Sequence, residues 1–107
     1  ISQKEIEEIS NTFKQRRDFA YSKISPLLPC ELPEGAFYLF PKVEDVLEKN
    51  ENSLELCAKI LKEKNVAILP GSAFGKEGYV RIAFTTDEEL LREGIKRICE
   101  FISQRKK

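Results

Sequence analysis

"GYVRIAF" (residues 78–84) alternates its side chains with a period of two, the spacing of a strand that buries one face. Val80, Ile82 and Phe84 fall on one side, and Tyr79, Arg81 and Ala83 on the other. A guanidinium sits at the centre of an otherwise apolar strand. Outward from it, the preceding "PGSAFGKEG" (70–78) carries three glycines and reads as a loop. Before that, "VAIL" (66–69) reads as a brief buried strand. After the central strand, Thr86 and Glu89 have capping-box spacing. They open a helix whose Leu91, Ile95, Ile98 and Ile102 share one face. Its tail, "QRKK", is expected to fray.

The N-terminal half follows the same logic. Ser2 and Glu5 form a second capping-box pattern, and Ile6, Ile9, Phe13, Ala20 and Ile24 recur at helical spacing, predicting a long helix over 3–24. Arg16, Arg17 and Asp18 lie on its flank, solvated or in local ion pairs. "SPLLPCELPEG" (25–35) has three prolines and a glycine and must be an extended connection. "AFYLF" (36–40) suits a short strand that Pro41 ends or edges. "NSLELCAKILKEKN" (52–65) predicts a helix capped by Asn52 or Ser53, with Leu54, Cys57, Ala58 and Leu61 inward and Asn65 at its end. The order is helix–strand–helix–strand–strand–helix. It predicts a single α+β domain over 1–107, with helices packed on one face of a small, largely antiparallel sheet of about three strands.

Composition narrows the chemistry. Eighteen basic and eighteen acidic residues cancel in 107, so no bulk field favours nucleic acid or an anionic membrane. No apolar run is long enough to span a bilayer. There is no histidine, which removes the commonest general base and every Ser/His/Asp or Cys/His arrangement. Cys30, Cys57 and Cys99 are widely spaced and form no CxxC pair. No zinc site is expected, and free thiols in a reducing cytoplasm are. Cys57 and Cys99 lie on or beside apolar stripes as small core residues. Gly71, Gly75 and Lys76 resemble a phosphate-binding loop only superficially. The glycines are one residue too close, Glu77 stands where Ser or Thr would hold magnesium, and a strand follows where a helix should start. The glycines either relieve backbone strain or let backbone approach a ligand or another domain closely. The chain contains no methionine, which leads us to expect a fragment of something longer or a processed product.

Arg81 remains. Periodicity alone favours an arginine that snorkels from a solvent-facing strand side. The alternative is a fixed fork that grips a carboxylate bidentately, as lysine cannot, with Phe37 or Tyr79 excluding water. Three stretches in order tip the balance: "LPEGAFYLFPKV", "ILKEKNVAILPGSAFG" and "GYVRIAFTTDEELLREGIKRI". Together, with "FKQRRDF" in the first helix, they resemble the C-terminal small domain of the aspartate-aminotransferase-type enzymes, the class I/II, fold type I, pyridoxal-phosphate-dependent aminotransferases. The resemblance covers essentially the whole chain. It implies that Arg81 binds the substrate's α-carboxylate and that Phe37 borders the pocket. It also implies a cytoplasmic, homodimeric full-length enzyme that moves an amino group between an amino acid and a 2-oxo acid with pyridoxal 5'-phosphate. The family's Schiff-base lysine and phosphate cradle belong to a large domain whose motifs are absent here. The resemblance therefore assigns no catalytic or cofactor-binding residue to this chain, and alone it is expected to be inactive and cofactor-free. Two alternatives stand beside this reading: a non-catalytic α+β binding, regulatory or interaction module, and a lyase or other fold type I relative using the same anchor. An apolar patch is expected around the first helix, where a missing domain would dock.

Overall fold

The computed structural model describes residues 1–84 and 87–106. Along the chain run α1 (Gln3–Ile24), β1 (Tyr38–Leu39), α2 (Ser53–Lys64), β2 (Leu69–Pro70), β3 (Val80–Ala83) and α3 (Glu88–Arg105), with 3₁₀ turns at Glu44–Val46 and Gly71–Phe74. This is the α+β fold and the element order that the sequence predicts. β3 is the middle strand, with order β1-β3-β2 and both pairings antiparallel. Tyr38 lies opposite Ala83 and Leu39 opposite Ile82, while Leu69 and Pro70 lie opposite Arg81 and Val80.

The alternation of "GYVRIAF" is realised. Val80, Ile82 and Phe84 are buried and Arg81 is half-buried. Val80, Ile82 and Phe84 join Leu39, the α1 residues Ala20 and Ile24, and the α3 residues Leu91, Ile95, Ile98, Phe101 and Ile102 in one core. α1 starts where Ser2 Oγ accepts from the Glu5 N–H at 3.1 Å. Arg17 pairs with Asp18 at 3.0 Å, as a local ion pair. Asn52 caps α2 in a reciprocal capping box with Glu55, and Asn65 ends it in the left-handed region at φ 56°. Among the described residues no helix is long and apolar enough to cross a membrane.

Several expectations need correction. α2 buries Ser53, Leu56, Cys57 and Ile60, whereas Leu54, Ala58 and Leu61 face outward. Both stripes have helical spacing, and packing against the sheet and α3 selects between them. β2 is Leu69–Pro70 and not 66–69. Val66 and Ile68 pack on the core while Ala67 and Leu69 are exposed, as on an edge strand with one wet face. Pro70 fits such an edge, having no N–H to pair. β1 is shorter than 36–40, but Phe84 N–H donates to Phe37 O at 3.1 Å and Val80 N–H to Pro41 O at 3.1 Å, extending its contact with β3. Asp87 caps α3 by accepting from the Glu89 N–H at 2.8 Å, and Thr86 lies outside the described residues.

The tail does not fray as far as Lys106, although Lys107 lies outside the described residues. Arg105 is helical and chelates Glu51, while its Nη1 donates to Val46 O at 3.0 Å. Lys59 pairs with Glu51 at 2.6 Å and with Glu48 at 3.0 Å. This cluster ties the end of α3 to α2 and to the segment before it.

Candidate functional site

Arg81 extends from the non-core side of β3. Its guanidinium carbon lies 3.8 Å from the ring centroid of Tyr38 and 4.7 Å from that of Phe74. Both are stacking distances for a planar cation on an aromatic face. Among the described residues no acidic side chain pairs with it, whereas Arg17, Arg92, Arg97 and Arg105 each pair with a carboxylate. The same sheet face carries a second cation–aromatic group. Tyr79 stacks on Phe40 with centroids 5.4 Å apart, and Lys76 Nζ lies 4.4 Å over the Tyr79 ring. A hollow of about 610 Å³ beside them is lined by Cys30, Leu32, Tyr38, Phe40, Lys76 and Tyr79 among others.

Phe37 is not part of this group. Its ring packs against Phe13 of α1 at 5.0 Å and lines a separate apolar hollow with Ile6, Ile9 and Phe84. The rings that meet Arg81 are thus Tyr38 and Phe74, not Phe37 or Tyr79. Tyr38 was within reach of sequence reasoning, because in β1 it alternates with the buried Leu39 and so shares the face of Arg81. Phe74 was not, since it reaches Arg81 only through the 3₁₀ turn.

That turn is fixed by glycine. Gly71 N–H donates to Tyr79 O at 2.6 Å, and Lys76 N–H donates to Gly71 O at 2.9 Å. A Cβ on Gly71 would lie closer than 3.0 Å to both those neighbours' carbonyl oxygens. Gly75 closes the turn at φ 77°, and its N–H donates to Ser72 O at 3.2 Å. Of the two readings left for these glycines, relief of backbone strain holds at Gly75 and Gly78, at φ 77° and 92°, whereas Gly71 makes a close approach to the chain's own backbone and not to a ligand or another domain. With these N–H groups paired internally, they are not free to cradle a phosphate.

Glu77, unnoticed as a contact, binds the start of α2. Its carboxylate oxygens accept from the Ser53 N–H at 3.0 and 3.2 Å and from the Gly78 N–H. Hydrogen bonding to Ser53 and then to Gly78 holds its carboxyl below the ordinary range. The thiols are free. Burial pushes Cys57 up to about 11 and also raises Cys30 and Cys99, so none is an activated nucleophile.

An arginine on the central strand, a glycine-fixed turn and an aromatic strand beside it are the three stretches singled out in the sequence, now in contact. The family model for "Aminotransferase class I and II" matches residues 1–98. The chain belongs to the class I and II aminotransferases. It is 41% identical over 95 residues to an aspartate aminotransferase of Thermotoga maritima, covering 88% of this chain and 24% of that one. Its fold superposes on an aromatic aminotransferase of Pyrococcus horikoshii with a TM-score of 0.86 and 39% identity, over 96% of this chain and 28% of that chain. An aspartate aminotransferase of Rhizobium meliloti gives a TM-score of 0.87 at 32% identity, over 96% and 28%. The chain thus spans about a quarter of the length of the class I and II aminotransferases it matches.

Proposed function

We propose that these residues are the C-terminal small domain of a cytoplasmic, homodimeric, pyridoxal-phosphate-dependent aminotransferase and that Arg81 binds the α-carboxylate of its substrates. One observation carries the reading. A permanently charged fork stands at the middle of the sheet, flanked by two rings and without an acidic partner among the described residues. Among the relatives are ones named for aspartate and for aromatic amino acids, substrates that share an α-carboxylate whatever their side chains. Gripping the common group suits a donor and an acceptor that take turns in one site.

The role of Arg81 is positional. Bidentate binding fixes the carboxylate plane and the position of Cα, turning an encounter into an oriented complex. The cofactor that the family implies supplies the electron sink, and residues outside these 107 would hold it. Binding by a second domain also gives the substrate a means of favouring the closed arrangement, because only the closed form makes every contact.

The test uses the complete protein. Its cofactor absorbance should change when amino acids are added. Arg81→Lys keeps the charge but loses the fork, and kcat/KM should fall roughly 10- to 100-fold with most of the loss in KM. Unchanged kinetics in Arg81→Lys and Arg81→Leu would overturn the assignment.

A further inference from the structure

We propose that Tyr38 and Phe74 are positioning residues that clamp the Arg81 guanidinium so that a carboxylate can meet it only edge-on. The proposal rests on the reading of Arg81 as the carboxylate anchor and deepens it. β1 and β2 flank β3 on opposite sides, so Tyr38 of β1 and Phe74 of the turn after β2 approach Arg81 from two directions. Their centroids lie 3.8 and 4.7 Å from the guanidinium carbon. A guanidinium is hydrated weakly on its faces and carries all its N–H donors in its plane. Rings on the faces therefore leave the donors available while removing rotational freedom of the long stem.

The surroundings suit this role better than a packing role. Phe74 is 47% exposed, an unusual place for a phenylalanine whose purpose is to fill the core. The turn that presents it is over-determined. Gly71 has no room for a side chain, Gly75 adopts a positive φ, and Gly71 exchanges hydrogen bonds with Tyr79 and Lys76. Tyr38 is half-buried and faces away from the core that its neighbour Leu39 joins.

The test is kinetic, on the complete enzyme with cofactor bound, using Tyr38→Leu, Phe74→Leu, Tyr38→Phe and Phe74→Tyr. Each leucine variant should raise KM roughly 3- to 20-fold for both the amino acid and the 2-oxo acid, the range a cation–π contact spans. Values of kcat should stay within about threefold, because the chemical step lies elsewhere. The ring-retaining variants should match the parent enzyme, which a contribution of the Tyr38 hydroxyl does not predict. If Tyr38→Leu fails to fold, Phe74→Leu, at an exposed position, still decides. Leucine variants with parental KM overturn the clamp, as does a raised KM that Tyr38→Phe and Phe74→Tyr share. Arg81→Leu in the same assay separates the two claims. If it too is parental, the anchor reading fails; if it collapses while the ring variants do not, only the clamp fails.

Discussion

A methyl group added at Gly71 would sit closer than 3.0 Å to the carbonyl oxygens of Lys76 and Tyr79, both of them backbone atoms with little room to move. Gly75 and Gly71 are therefore glycines for different reasons. At Gly75 a Cβ meets nothing within 4 Å, and the obstacle is its φ of 77°. Gly71→Ala should lower the urea-unfolding stability of the chain by about 3 kcal/mol, the upper range for forced overpacking. Gly75→Ala should cost about 1 kcal/mol, the ordinary charge for a left-handed alanine. Equal losses would contradict the close-approach account. The same contrast shows what a sequence can tell at this scale. The three glycines mark the loop as special, but which one is sterically obligatory depends on where Tyr79 and Lys76 return, and periodicity carries no such information. Arg81 was legible as an anomaly because an alternating pattern makes one discordant residue stand out. Its ring partners were legible only where they obeyed the same alternation, as Tyr38 does and Phe74 does not.

At the scale of elements, α3 is held by two unlike devices. Its apolar stripe seats it on the core, and Arg105 pins its last turn to Glu51, whose side chain is only 3% exposed. The hydrogen bonds from Arg105, and after them from Lys59, pull the Glu51 carboxyl down to about 2 against the opposing effect of burial. The unfolded value is near 4.5, so the native state favours the ionised form. The stabilisation is therefore complete above about pH 5 and is lost as pH falls toward 2, a difference of about 3 kcal/mol. Glu51→Gln should be less stable than the parent by roughly that amount at pH 7 and converge with it near pH 2. Urea unfolding at a series of pH values measures this, and parallel curves would refute it. The stripe of α3 was readable because its spacing admits one apolar face. α2 has two, Leu54–Leu61 and Leu56–Ile60, and only the tertiary partners choose between them. The pinning of Arg105 was unreadable, since its acid lies 54 residues away.

For the molecule as a whole, the long first helix sets the shape. The longest dimension is 52 Å against 27 and 22 Å, and the first twelve residues are all exposed. The helix meets the core only near Ala20 and Ile24, leaving Ile6 and Ile9 uncovered. An apolar patch around this helix was expected from the resemblance, as a place for another domain to dock, and Ile6 and Ile9 are exposed there. Spacing says which residues share a face, not how much of that face finds a partner. A helix without tertiary contacts is marginal in water. Backbone amides of residues 3–12 should thus exchange with solvent much faster than those of 17–24 in the 107-residue chain. Uniform protection along α1 would mean that the arm is covered in solution. The aromatic sheet face has a last consequence, and it is optical. The chain has three tyrosines and no tryptophan. Two of the three, Tyr38 and Tyr79, lie against the cations Arg81 and Lys76 on that face. Tyrosine emission from this chain therefore reports chiefly on one surface, the one that carries the arginine, with no label attached.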